Sequence, residues 1–180
     1  MTRVILTYAD YAALPDDGRR YEVHEGELSV MPAPNIRHQR VNLNLCDVLL
    51  HHVRSRQLGE IFVAPTDCIL ADTTVVQPDI VFVDAPHASR VSERAIEGAP
   101  TLVVEVLSPS TERIDRPRKL DLYARHGILY YWIVDPDGRI IDAYALGAGA
   151  FRLAGRLAGD EPTTLPPFDD LRLDPGVLWA

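Results

Sequence analysis

At 180 residues, 47% of them hydrophobic and 24% charged, the chain has the size and balance of one globular domain with a sizeable core. No apolar run reaches the roughly 18–20 residues of a membrane span, and the first residues lack the long apolar region of a secretory signal. A net charge of −8 counts against broad, non-specific binding to nucleic acid, which needs a basic surface.

Taken in chain order, Thr7 predicts a cap for a short helix over residues 8–14, stopped by Pro15 and the Asp16-Asp17-Gly18 turn. Residues 20–24 and 27–31 flank Glu25-Gly26 and read as a hairpin. After Pro32-Ala33-Pro34, Asn35 caps a long helix over about residues 36–57. His38, Val41, Leu45, Val48 and His52 recur there at helical spacing, and Gly59 is its expected end. His51-His52 reads as surface at a helix end. Strands follow at 60–64 with 68–70, at 79–83 and at 101–107, with a short helix or loop over 89–97. A Ser108-Pro109-Ser110-Thr111 turn leads to a helix over about 117–126, capped by Asp115 and closed by Gly127. Residues 129–134 and 139–146 pair across Asp135-Pro136-Asp137-Gly138, and 150–153 adds an edge strand. The proline-rich tail is expected to be extended and to pack through Phe168, Leu171, Leu173 and Trp179. The fold class is α/β, a mixed central β-sheet flanked by helices, in a single domain over 1–180.

The apolar run Leu102-Val103-Val104-Glu105-Val106-Leu107 reads as a strand buried on both faces, with one carboxylate inside it. A lone carboxylate there neutralises or finds a partner. Pro78-Asp79 opens a neighbouring strand, and Lys119, the only lysine in the chain, follows downstream. Two carboxylates from adjacent strands, with a backbone carbonyl and waters, suit Mg²⁺ or Mn²⁺. A lysine nearby can orient or deprotonate an attacking water or offset phosphoryl charge. Arg113, Arg116, Arg118, Lys119 and Arg125 form a local basic cluster despite the acidic total. Glu105 could instead be the buried partner of an arginine such as Arg118. The two cysteines, Cys46 and Cys68, show no metal or redox spacing and point to a reducing cytoplasm. Ser108 and Ser110 lack the Gly-x-Ser-x-Gly context of a serine hydrolase.

These residues bring the sequence close to a known superfamily. Tyr21-Glu22-Val23, Gly26-Glu27-Leu28, Met31-Pro32, Arg37-His38 and Val76-Gln77-Pro78-Asp79 come first. Then follow Val104 to Thr111, Arg118-Lys119-Leu120 with Leu122-Tyr123, and Tyr131 to Asp135. Together they resemble the PD-(D/E)XK nucleases, and more closely the bacterial Uma-two family of restriction-endonuclease-like proteins, over about residues 7–146. The resemblance implies a metal-dependent endonuclease acting on DNA, often a homodimer with no membrane partner. Asp79 and Glu105 would be metal ligands with the Val106 carbonyl, Lys119 the catalytic lysine, and His38 and Glu27 assisting groups. The superfamily lysine sits two residues after the strand carboxylate, where this chain has Leu107, so Lys119 would act from the following helix. There, in a first turn, the helix dipole disfavours it. Two other readings stand beside this one: a catalytically inactive binding or assembly module on the nuclease fold, and an enzyme for a small phosphorylated substrate. The second lacks a Gly-rich phosphate loop.

Overall fold

A computed structural model of the chain describes residues 4–108 and 115–180. Helix α1 (Tyr8–Ala12) is closed by a reciprocal cap, in which Asp10 N–H donates to the Thr7 hydroxyl and Thr7 N–H donates to the Asp10 carboxylate. Two donors that a helix start leaves open are thereby satisfied. Strands β1 (Arg20–His24) and β2 (Glu27–Met31) pair antiparallel. Their turn residues Glu25 and Gly26 both have positive φ, 52° and 83°, as a tight two-residue hairpin turn requires.

Helix α2 (Ile36–Ser55) is capped by the Asn35 carbonyl oxygen accepting from His38 N–H at 2.8 Å. Its end differs from expectation. Leu58 N–H returns to the Val53 carbonyl and Gln57 N–H to that of Arg54, a Schellman arrangement with Gln57 at φ 54° in the position glycine usually takes. Gly59 instead opens strand β3 (Gly59–Val63), and a Cβ there would stand 2.1 Å from the Val83 carbonyl oxygen. His52 is buried rather than superficial, its ring edge-on to Phe168 at 5.4 Å.

Strands β4 (Cys68–Ala71), β5 (Thr74–Val76) and β6 (Ile80–Asp84) follow. Residues 89–97 do not form a helix of their own: a 3₁₀ turn covers Ala85–Arg90, and strand β7 (Ile96–Glu97) lies beside β4. After β8 (Leu102–Val106) comes helix α3 (Asp115–Arg125), which begins at Asp115 instead of being capped by it. Lys119 is therefore its fifth residue, past the first turn where the dipole penalty is concentrated. Pro117 at the third position removes a donor that has no helical acceptor anyway. Pro109, Ser110, Thr111 and Arg113 lie outside the described residues. The chain continues through β9 (Tyr130–Asp135), β10 (Ile140–Gly147) and β11 (Ala150–Leu157), the last longer than expected. The tail is not extended. It folds into the hairpin β12 (Thr163–Leu165) and β13 (Phe168–Leu173), then α4 (Pro175–Leu178).

The strands form a six-stranded sheet ordered β11-β10-β9-β8-β6-β3 and a five-stranded sheet ordered β2-β1-β5-β4-β7, with β12-β13 apart. The six-stranded sheet is mixed: β8 runs parallel to β9 and antiparallel to β6. Alternate side chains of its central strands feed two cores. Ile80, Phe82, Leu102, Val104, Trp132 and Val134 pack with α2 and the C-terminal hairpin. Val81, Val83, Val103, Tyr131 and Ile133 pack with Leu122 and Tyr123 of α3. Among the described residues no helix is long and apolar enough to cross a membrane.

Candidate active site

Alternation along β8 decides what Glu105 faces. Val104 and Val106 point to the α2 side, so Glu105 shares the opposite side with Val103, beneath α3. There Glu105 Oε1 accepts from Lys119 Nζ at 2.8 Å and from Tyr123 Oη at 2.6 Å. The two donors are four residues apart on α3, one above the other on the same helix face. Arg118, the other candidate partner, instead pairs with Glu27.

Asp79 stands immediately before β6. Its Oδ2 accepts from Val106 N–H at 2.8 Å and lies 3.1 Å from His38 Nε2 on α2. The residue next to Glu105 in the strand thus holds the Asp79 carboxylate, which ties the two acids into one site. Asp79, Glu105, Lys119, His38, Val106 and Arg20 all line one cavity of about 60 Å³, room for a few water molecules. Leu107 lines it too.

Sequence reasoning missed the residue that completes the cluster. Glu22 is fully buried. Its Oε1 accepts from Gln77 N–H at 2.8 Å, while Oε2 lies 2.8 Å from His24 Nε2 and 3.5 Å from Lys119 Nζ. The signal was present: Arg20, Glu22 and His24 alternate along β1, and three polar side chains on one face of a strand with buried residues need partners on that face. Tyr123 was missed because a tyrosine on an apolar helix face reads as core, which it also is.

Burial works against every charge here, and the partners decide the outcome. For Glu22, burial is outweighed by Lys119, by His24 and by the Gln77 N–H, and its carboxyl is held down to about 2. For Glu105, burial prevails, helped by the Asp79 and Glu22 charges against Lys119, and its pKa is raised. The Lys119 ammonium is opposed by burial but held well above its ordinary value by Glu105 and Glu22. Burial and the Glu105 charge raise the Tyr123 hydroxyl, which stays a donor.

The donor set fits a hard divalent cation that keeps most of its waters. One oxygen of each acid, Asp79 Oδ2 and Glu105 Oε1, carries the hydrogen bonds; Asp79 Oδ1 and Glu105 Oε2 accept none among the described residues. Two carboxylates and a wet cavity are what Mg²⁺ asks of a protein. Among the described residues no group of three or more His, Cys, Asp or Glu side chains is arranged around a common metal position, so a cation needing three such ligands does not fit.

The structure brings Asp79, Glu105, Lys119, His38 and Val106 together; it does not bring Glu27. Glu27 is half-exposed, at the turn end of the hairpin, in an ion pair with Arg118 at 2.5 Å. The reason is position along the ladder: Glu27 pairs with His24 and so shares its face, but it stands at the turn end, four residues from Met31, the β2 residue that lines the cavity. The basic cluster also disperses. Arg118 pairs with Glu27, Arg125 with Glu25 and Asp121, and Lys119 is buried.

The chain matches the family model described as "Uma2: Putative restriction endonuclease" over residues 8–176. Two proteins of Synechocystis sp. are each 30% identical to it. The uncharacterized protein sll1609 aligns over 125 residues, 68% of this chain and 70% of that protein. The uncharacterized protein slr1290 aligns over 129 residues, 69% of this chain and 65% of that protein. Among solved structures, the chain is similar to a protein of Anabaena variabilis described as a "putative nuclease belonging to DUF820". The TM-score is 0.79, identity is 21% and 97% of each chain is covered, which is a likeness of fold.

Proposed function

The chain belongs to the Uma2 family of restriction-endonuclease-like proteins, and from that premise we propose that it is a Mg²⁺- or Mn²⁺-dependent endonuclease hydrolysing phosphodiester bonds of DNA. The observation that carries the reading is the meeting of Asp79, Glu105 and Lys119 on one small cavity, although 26 residues separate the two acids and 14 more lead to the lysine. Asp79 Oδ1, Glu105 Oε2 and the Val106 carbonyl would hold the cation. Once bound, the ion supplies Lewis-acid activation of a water and compensation of phosphoryl charge.

The chain's own groups prepare that site. His38 and Val106 N–H fix Asp79 through Oδ2, and Lys119 and Tyr123 fix Glu105 through Oε1, so each acid keeps its other oxygen free of hydrogen bonds among the described residues. Lys119 is too firmly charged to serve as a base. Its role is to orient Glu105 and to donate to the attacking water. Glu22, itself held by His24, faces the ammonium on its other side from Glu105. Cutting both strands of a duplex calls for two such sites related by a two-fold axis, so a homodimer belongs to the proposal. The free thiols of Cys46 and Cys68 support a reducing compartment.

The test is incubation of purified protein with supercoiled plasmid and Mn²⁺, beside Asp79→Ala. Nicking by the wild type and at least a ~100-fold loss in the variant are expected, the scale of removing one electrostatic group from a reaction centre. Metal-dependent nicking that persists in Asp79→Ala would eliminate this site. Calorimetry showing no Mn²⁺ binding by the folded protein would leave the non-catalytic module.

A further inference from the structure

A cavity that takes a phosphodiester needs a cation free to meet its non-bridging oxygens, and Lys119 is engaged by Glu105 at 2.8 Å and by Glu22 at 3.5 Å. The surface arginines nearby are also committed, Arg118 to Glu27, Arg125 to Glu25 and Arg37 to Asp137. Arg20 differs from all of them. It opens β1, lines the same cavity as Asp79, Glu105 and Lys119, and pairs with no carboxylate among the described residues.

Its guanidinium is nevertheless fixed. Nη2 donates to the Gln77 backbone carbonyl at 2.7 Å, and Nε is 3.4 Å from the Gln77 side-chain oxygen. Gln77 is itself anchored by its N–H on Glu22 and by its side-chain amide on Asp67 at 2.8 Å and on the Tyr11 oxygen at 3.1 Å. One edge of the planar group is therefore held two residues before Asp79. Nη1 and the second Nη2 hydrogen remain as an end-on fork of the shape that takes two oxygens of one phosphate.

We infer that Arg20 is the phosphate-binding residue of the cavity, gripping non-bridging oxygens of a DNA phosphodiester while Lys119 serves the carboxylates. The phosphodiester identity rests on the nuclease reading; the anion site rests on Arg20 itself. Gln77 acts through Arg20, as a positioning residue.

The experiment titrates a fluorescent DNA duplex into the full chain with Ca²⁺, across a salt series, for wild type, Arg20→Gln and Arg20→Lys, with Mn²⁺ cleavage run in parallel. Arg20→Gln should weaken binding about 10- to 100-fold, the range of one charge-assisted bond. It should also flatten the slope of log K against log salt by about 0.9, one phosphate contact. Arg20→Lys should keep the slope and lose part of the affinity with the fork. A purely structural role would lower affinity without changing the slope, and that result overturns the inference, as does wild-type affinity in Arg20→Gln. If Arg20→Gln does not fold, phenylglyoxal modification of the wild type mapped by peptide reads the same contact. Duplex should protect Arg20 about tenfold, and equal reaction with and without duplex overturns the inference. A wild type that binds duplex but does not cut removes the nuclease reading and leaves the Arg20 arm intact. A wild type that binds no duplex at any salt overturns both.

Discussion

At the scale of single residues, the site is a charge problem solved by one lysine. Glu105 and Glu22 come from different strands, Glu22 fully buried and Glu105 largely so, and the Lys119 ammonium lies between them. Replacing it with methionine keeps much of the volume but leaves two buried carboxylates without their cation. A loss of about 3–5 kcal/mol at neutral pH is expected, the usual consequence of orphaning one side of a buried pair. The sign of the pH dependence follows. In the wild type Glu22 is depressed from 4.5 to about 2, so its contribution is full above pH 4.5 and is lost as pH falls toward 2. In Lys119→Met burial loses its largest opponent, with His24 and the Gln77 N–H left on Glu22, so the carboxyl pKa values of the folded state rise and stability is instead lost as pH increases through them. Urea unfolding should therefore show a smaller difference between the two proteins at pH 5 than at pH 8. A difference independent of pH would mean that the charges are not what Lys119 stabilises. Its uniqueness marked this residue in the sequence; Glu22 stayed hidden because a strand glutamate beside a turn has the same composition as a solvated one, and only the register of β5 against β1 brings Gln77 over it.

Among the elements, helices and hairpins were legible and their neighbours were not. Asn35, the Glu25-Gly26 turn and the Asp135-Pro136-Asp137-Gly138 turn carry local signals, and the structure places α2, the β1–β2 hairpin and the β9–β10 hairpin where they predict. Strand β5 was missed: it is three residues long, Thr74–Val76, too short for a period to register, and its pairing with β1 is long-range. Gly59 shows how a residue can be noticed for one reason and required for another. It was expected to end α2, but its hydrogen is needed because β3 passes the Val83 carbonyl oxygen, 2.1 Å from where a Cβ would sit, at φ 148°. That oxygen and the Asp84 backbone beside it cannot rotate away. Gly59→Ala should cost about 2–4 kcal/mol, combining a strained φ with overpacking. Thermal unfolding of that variant, with Gly127→Ala as a control for positive φ without crowding, separates the two causes. Equal losses would show that the approach of β3 to Val83 is not what demands glycine.

For the whole molecule, the consequence of two cores on one sheet is that Glu105 and its donors lie on the side opposite the tail, while His38 and Val106 reach the cavity from the tail's side. Glu105, Lys119 and Tyr123 belong to the α3 side, while α2 is covered on the other by the β12–β13 hairpin through Phe168 and Leu173. Phe168 is the hub of that cover, within 5.1 Å of the Phe82 ring, 5.4 Å of His52 and 6.1 Å of Trp132, and Trp132 Nε1 donates to the Pro166 carbonyl at 2.7 Å. The tail's apolar residues were visible in the sequence, but that they close over α2 depends on contacts 114 residues apart, such as Arg56 with Asp170. Phe168→Ala should cost about 3–5 kcal/mol by emptying a ring site in an aromatic cluster. Since none of Phe168, Phe82, His52 and Trp132 lines the cavity, Mn²⁺ affinity of the folded fraction should change less than about twofold. Calorimetric titration at a temperature well below the midpoint of unfolding checks both halves. A parallel fall in metal affinity would mean that α2, through His38 and its contact with Asp79, transmits the state of the tail core to the acids.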